Sequence, residues 1–183
     1  MTPKLATEGF IARTQEMLVA ITRMPRKIIA AGEECEPMLL VFPKNPSLEI
    51  AAVPMGLFFT GSPQGKDVAA SIHRQTAEIP TTLVAVLITE VWMVKEDKDT
   101  PLAEAMKKSV RHRRDKTEAL MLNFVNGDGE QLLAMYDIDR KARTIPDQPT
   151  HLIDPLRGPV LGEGKDKGGG MVGRMVLEPE HKQ

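Results

Sequence analysis

The sequence predicts an α+β fold: a small, largely antiparallel sheet with two to three helices on its faces and a flexible C-terminal tail. Three patterns lead to this prediction. The long apolar run Thr82–Val94 has apolar residues on both faces, which is typical of a central strand. Two shorter runs flank the turn sequence Asn-Gly-Asp-Gly at 126–129, as in a hairpin. Residues 3–24 repeat apolar side chains at helical spacing.

The first element is the helix predicted over residues 3–24. Thr2-Pro3 is a favourable start, and Pro25 is expected to end the helix because proline has no N–H to donate. The apolar stripe of this helix has to be buried, either on the sheet or on a partner.

Two short strands are predicted next, over Pro37–Phe42 and Leu48–Val53. Between them, residues 43–47 combine two prolines with Asn and Ser, which is a turn composition. The short connection predicts a hairpin, and Leu57–Phe59 is expected to continue the sheet.

A second helix is predicted over about Lys66–Ile79 and ends before Pro80. The central strand follows, over Leu83–Val94. A short third helix is predicted to begin at Thr100-Pro101, although its second half is dominated by charge.

The predicted hairpin joins Ala119–Val125 to Gln131–Ile138. We therefore expect one α+β domain over residues 1–140. Residues 141–183 are rich in Pro and Gly and are predicted to be a loop or flexible linker. Within that tail, Met171–Leu177 is expected to add a short final strand or to dock on a partner.

Composition limits the function classes. The chain has 183 residues, 42% of them hydrophobic, and a net charge of −1, so no global attraction to nucleic acid or membranes is indicated. No apolar run is long enough to span a bilayer, and the first residues lack the apolar region of a signal peptide. With a single cysteine there can be no internal disulfide. We expect a soluble, cytoplasmic protein.

Nothing in the sequence predicts catalysis, a metal or a cofactor. Cys35 lies among three glutamates, which should raise the pKa of its thiol and make it a poor nucleophile. The four histidines lack the spacing of zinc sites. Asp128, Asp137 and Asp139 do not match a calcium loop and are interpreted as turn and strand-face residues.

A basic stretch is the first candidate binding site. It consists of Lys107, Lys108, Arg111, His112, Arg113, Arg114 and Lys116. Such a density of positive charge could neutralise several phosphates of a nucleic acid, or bind an acidic protein partner. The same composition is typical of a solvent-exposed helix C-terminus. No aromatic residues that could stack on bases are interleaved with the basic ones.

Glu90 is the second candidate, because it interrupts the apolar central strand. Its carboxylate shares a face with Ile88 and Trp92, so it needs a partner or a raised pKa. A salt bridge to Arg113 or Arg114 is the simplest expectation. A general-base role is the alternative.

The segment Ala85–Arg140 resembles a group of short, uncharacterised bacterial and phage proteins. The resemblance rests on a strand ending in Glu-x-Trp-Met, then a polar loop, then Asp-Arg/Lys-x-Glu-Ala-Leu-Met and a hairpin. These positions are Glu90, Trp92, Met93, Asp115, Lys116, Glu118, Ala119, Leu120 and Met121. The group has no known activity. The resemblance implies a small α+β domain with a polar cluster of Glu90, Trp92, Asp115 and Glu118.

The sequence therefore favours a non-catalytic binding or accessory protein of bacterial or phage type, acting through contacts with a protein partner or through self-association as a homo-oligomer. The first alternative is a nucleic-acid-associated protein that uses the basic stretch. The second is an enzyme with a site near Glu90, His112 and the arginine cluster. A deep pocket reaching Glu90 would favour the enzyme, and an exposed apolar patch would favour the partner protein.

Overall fold

The computed structural model describes residues 2–59, 63–96, 114, 116–161 and 174–179, and they form the predicted α+β fold. Within these residues there are two helices and one antiparallel sheet of eight strands. The elements are α1 (Glu8–Ala30), β1 (Met38–Pro43), β2 (Ala51–Pro54), a 3₁₀ turn (Gly56–Phe59), α2 (Pro63–Glu78), β3 (Thr82–Glu96), β4 (Thr117–Val125), β5 (Gln131–Asp137), β6 (His151–Asp154), β7 (Gly158–Leu161) and β8 (Arg174–Pro179).

The sheet is organised around β3, as the apolar run predicts. Its order is β2-β1-β3-β4-β5-β6-β7, so β2 and β7 lie at the two ends. One side of β3 pairs with β4 from Ala85 to Met93. The other side pairs with β1 along its first half and with β8 from Val91 to Glu96. The central position of β3 and the antiparallel character of the sheet are thus confirmed.

Helix α1 begins later and ends later than its sequence pattern predicts. Thr7 is its N-cap, and the Thr7 hydroxyl accepts a hydrogen bond from the Phe10 N–H (3.2 Å). The preceding residues run alongside the β4–β5 turn, where the Lys4 N–H donates to the Gly129 carbonyl (2.9 Å). Pro25 lies inside the helix and not at its end. Its ring is buried, and this burial offsets the missing backbone hydrogen bond.

The two helices lie on opposite faces of the sheet. Helix α1 covers the larger core, in which Phe10, Leu18 and Ile21 pack with side chains such as Phe124 and Leu132. A second core includes residues of α2, β1 and β3. On that face, the buried His73 ring shares a hydrogen bond with the Ala85 carbonyl (3.0 Å). Burial lowers the pKa of His73, so the neutral ring donates to this carbonyl and fixes α2 on β3.

Both predicted hairpins are present. In the turn between β4 and β5, the Asn126 side-chain carbonyl accepts hydrogen bonds from the backbone N–H groups of Asp128 and Glu130, at 3.0 Å each. Gly129 has φ +89°, a conformation that favours glycine. The Glu130 carboxylate accepts from the Thr7 N–H (2.7 Å) and so connects the turn to the start of α1. The turn residues therefore fix both the hairpin and the helix that lies on it.

Two segments differ from the sequence-based expectation. Residues 57–59 belong to the 3₁₀ turn and do not continue the sheet. Residues 151–161, predicted to be linker, form β6 and β7. The Asp154 carboxylate stabilises this arrangement, because it accepts hydrogen bonds from Leu156 N–H (2.8 Å) in the β6–β7 turn and from Ala6 N–H (2.9 Å). These bonds hold a proline-rich segment on the sheet.

Two further predictions concern the rest of the chain. Strand β8, Arg174–Pro179, overlaps the segment for which a final strand was expected, and it pairs with β3. The predicted third helix lies outside the described residues. Neither of the two described helices combines the length and the apolar character that a membrane crossing requires.

Candidate functional site

An apolar groove lies between α1 and the outer strands of the sheet; we call it the edge groove. Its volume is about 230 Å³. The residues that line it are Ala20, Ile21, Met24, Pro25 and Ile28 of α1, Cys35 and Glu36 of the α1–β1 connection, Met38, Leu40 and Phe42 of β1, Ile88 of β3, and Ile50 and Ala52 at β2. The walls are almost entirely aliphatic or aromatic, so the groove is suited to an apolar group.

The edge groove is open because the outermost strand is not covered. All four residues of β2 are exposed to solvent. Two large apolar side chains beside the groove are also exposed, with Met24 at 59% and Ile50 at 52% of their full accessible area. Exposed apolar side chains that border an apolar groove are typical of an interaction surface.

Cys35 is one of the residues that line the edge groove. The residue is buried, and its backbone N–H donates to Glu90 Oε1 (2.7 Å). Burial raises the pKa of the Cys35 thiol to about 12, and the Glu90 charge adds to this effect. The thiol is therefore neutral and behaves as part of the apolar lining. The expected rise in pKa is confirmed, but burial is its main cause and not the neighbouring glutamates.

Behind Cys35 lies a charged cluster of Glu90, Glu118 and Arg140. Arg140 Nε donates to both carboxylate oxygens of Glu118 (3.0 Å each), and Nη2 donates to Glu118 Oε1 (2.6 Å). Nη2 also contacts Glu90 Oε2, and Nη1 donates to the Glu33 carbonyl (3.0 Å). One guanidinium thus connects β3, β4 and the α1–β1 connection.

Both carboxylate oxygens of Glu90 are engaged. Burial raises the pKa of Glu90, the hydrogen bond from Cys35 and the Arg140 charge oppose the rise, and the Glu118 charge adds to it. Hydrogen bonds to Glu118, together with the charges of the two carboxylates, raise the pKa of Arg140, while burial acts against this. Since Glu90 is bonded to Cys35 and Arg140 and does not line the groove, the arrangement positions backbone and does not present a free base.

The structure brings part of the predicted polar cluster together. Trp92 and Glu118 are direct partners in the β3–β4 register. Lys116 Nζ lies 4.0 Å from the centre of the Trp92 ring, a cation–π geometry, and Arg114 is exposed. The other predicted site residues, Lys107, Lys108, Arg111, His112, Arg113 and Asp115, lie outside the described residues. Glu90 does have an arginine partner, which is Arg140. Of the two partners expected from the sequence, Arg114 makes no such pair among the described contacts, and Arg113 lies outside the described residues.

Two features of this site are missing from the sequence-based interpretation. Arg140 lies just after β5, the second strand of the β4–β5 hairpin. No repeating pattern in the sequence indicates that its side chain reaches Glu90. The edge groove depends on where α1 lies relative to the sheet edge. Leu48 and Ile50 lie in a segment predicted to be a strand, and their exposure is visible only in the structure.

We expect Glu90→Gln to change how stability depends on pH. The folded pKa of Glu90 lies above its ordinary value of 4.5, so the folded state holds this proton more tightly than the unfolded state. The contribution of Glu90 to the free energy of unfolding therefore falls as the pH rises from 4.5 through the folded pKa, and is constant above it. Glutamine keeps an acceptor for the Cys35 N–H and does not ionise.

Urea unfolding of the wild type and Glu90→Gln at several pH values between 4 and 8 measures this difference. The wild type should lose stability relative to the variant as the pH rises through that range. Two parallel curves would contradict the assignment of a raised pKa to Glu90.

Comparison with known proteins adds no relative. A search against protein-family models found no match, and neither did searches of curated proteins and of solved structures.

Proposed function

We propose that this chain is a non-catalytic binding protein, of bacterial or phage type, that recognises a protein partner through the edge groove. The observation that carries the proposal is an open groove with apolar walls beside exposed Met24 and Ile50. Apolar side chains that fill such grooves supply much of the binding energy in protein interfaces.

The chemistry of the lining supports an apolar anchor. Of the described residues that line the groove, Glu36 is the only charged one. The raised pKa of Cys35 keeps the thiol neutral, so no second charge forms there. An apolar side chain that enters the groove therefore loses contact with water without leaving a buried charge unpaired.

The size of the groove supports a side chain in preference to a large cofactor. A cavity of about 150 Å³ is enough to hold benzene. At about 230 Å³, the edge groove has room for one large side chain, such as Leu, Met or Phe, or for two smaller ones. Ligand pockets for drug-sized molecules are usually larger, from about 300 Å³ upwards.

The two alternatives receive less support. An enzymatic site near Glu90 would need a carboxylate open to substrate, and both Glu90 oxygens are engaged by Cys35 and Arg140. For the basic stretch, Arg114 is exposed and Lys116 lies over the Trp92 ring, and the other members are outside the described residues.

Ala20→Phe tests the proposal, because it places a large side chain in the groove from an exposed helix position. Val19→Phe is the matched control: it is the neighbouring residue on α1, is 73% exposed, and does not line the groove. Phage-displayed random peptides are selected on the immobilised wild type, and the affinities of selected peptides are measured by fluorescence anisotropy. We expect Ala20→Phe to weaken binding at least tenfold, roughly 1.4 kcal/mol, and Val19→Phe to bind like the wild type.

The same assay decides against the proposal if no selected peptide responds to Ala20→Phe. Labelled DNA and RNA are titrated in parallel. Binding whose logarithm falls linearly with the logarithm of salt concentration, and which is lost in an Arg111→Ala, Arg113→Ala, Arg114→Ala variant, would favour the nucleic-acid alternative instead.

A further inference from the structure

The free edge of β2 offers unpaired backbone groups beside the groove. The Met55 N–H donates to the Pro37 carbonyl (2.8 Å), next to the registered pair of Met38 and Pro54. Opposite residues in an antiparallel pair alternate between those that exchange hydrogen bonds and those that do not. Val53 and Ala51 therefore bond to β1, and the N–H and C=O of Ala52 point away from it.

The proline at the end of β2 fits the same alternation. Pro54 occupies an outward-facing position like Ala52, so its missing N–H removes no hydrogen bond from the β1–β2 pair. Among the described strands none pairs with this outer edge, because β2 is the last strand of the sheet order on its side. A partner that adds here has its strongest backbone contact at Ala52.

The side chain of Ala52 connects this edge to the groove. Ala52 lines the edge groove, and it is small. A residue that pairs with Ala52 from an added strand would project its side chain on the same face, beside the small methyl group of Ala52. Residues on either side of it would project to the opposite face, where Val53 is exposed.

From this juxtaposition we propose that the partner segment is an extended strand that adds to β2 at Ala52 and inserts one large apolar side chain into the edge groove. This inference rests on the proposed function and specifies its partner. The exposed Glu36 at the groove favours a basic residue in the same segment. Main-chain hydrogen bonds and one side-chain pocket together define strand addition.

Two other occupants fit less well. A helix satisfies its own backbone groups and would leave those of Ala52 without a partner. A second copy that pairs symmetrically about Ala52 would place an alanine opposite Ala52, which is too small to fill the groove. It would also pair Ile50 with Pro54, which has no N–H to donate.

Ala52→Pro and Ala52→Ser form a matched pair for the test. Proline removes the outward N–H and leaves the β1 hydrogen bonds in place, whereas serine keeps that N–H at similar size. Synthetic copies of the selected peptides that respond to Ala20→Phe serve as probes, each N-methylated at one position at a time. We expect roughly tenfold weaker binding for Ala52→Pro, a clearly smaller loss for Ala52→Ser because the N–H is kept while a hydroxyl enters the lining, and losses at alternate N-methyl positions only.

Amide hydrogen exchange gives an independent readout on the intact protein. The Ala52 amide should exchange rapidly in the free chain and become protected when the peptide binds, whereas Val53 should be protected in both states. Peptides that respond to Ala20→Phe but show no alternation and no protection at Ala52 would overturn strand addition and leave the groove function standing. A wild-type dimer that becomes monomeric in Ala52→Pro, with no peptide effect at Ala52, would assign the edge to a second copy and overturn the proposal.

Discussion

Replacing Arg140 by methionine is expected to lower the free energy of unfolding by about 3 kcal/mol at neutral pH. The substitution leaves the carboxylates of Glu90 and Glu118 close together without a counter-charge, and it removes the hydrogen bond to the Glu33 carbonyl. We take the lower end of the range for broken buried pairs because the Arg140 side chain is 30% exposed and water reaches it. Urea unfolding at pH 7 measures the loss.

Three comparisons make this result specific. Arg140→Lys keeps the positive charge, but an ammonium group cannot bond two carboxylates and a carbonyl at once as the planar guanidinium does. We therefore expect a free energy of unfolding between those of the wild type and Arg140→Met. Lys141→Met, at an exposed neighbouring position, should change stability by less than about 0.5 kcal/mol. The loss in Arg140→Met should also shrink in acid, where Glu90 takes up a proton. A loss that does not depend on pH would mean that packing, and not charge, is the cause.

Phe124→Ala is expected to be the most destabilising single substitution considered, with a loss of about 4 kcal/mol. Phe124 is fully buried in the core beneath α1, on the strand next to β3. Alanine removes most of the ring's buried area and leaves a cavity that the surrounding strands cannot close.

Phe124→Leu is the matched substitution, since it keeps an apolar side chain and should cost about 1 kcal/mol. Leu57→Ala, at an exposed site, should have an effect of less than about 0.5 kcal/mol. Thermal or urea unfolding separates these cases. Equal losses for alanine and leucine at position 124 would show that the core there is not closely packed.

The parts of this fold that the sequence predicts correctly are those determined by residues close together in the chain. Apolar residues on both faces of Thr82–Val94 identify a central strand without any knowledge of its neighbours. Asn126 and Gly129 identify the turn of the β4–β5 hairpin, because their backbone preferences are set within a few residues.

The failures arise where a distant contact outweighs a local preference. Pro25 breaks the local helix pattern, yet burial of its ring lets α1 continue to Ala30. Asp154 holds a proline-rich segment in the sheet through its bond to Ala6, far away in sequence. The ion pair between Glu90 and Arg140 also joins residues far apart in sequence, because Arg140 follows β5 and Glu90 lies in β3. The groove, likewise, is a consequence of where α1 stops covering the sheet.

The divided edge of β3 has a consequence for the order of folding. On the side that faces β1, its second half, Val91–Glu96, pairs with β8, which is the last of the eight described strands in chain order. Until β8 is synthesised, a nascent chain with seven strands presents an open strand end at the middle of its sheet, and such edges pair readily with other chains. The strands β3 and β8 are far apart in sequence, and such non-local pairing forms slowly. We therefore expect the lifetime of this seven-stranded intermediate to limit the yield of soluble protein at high expression rates.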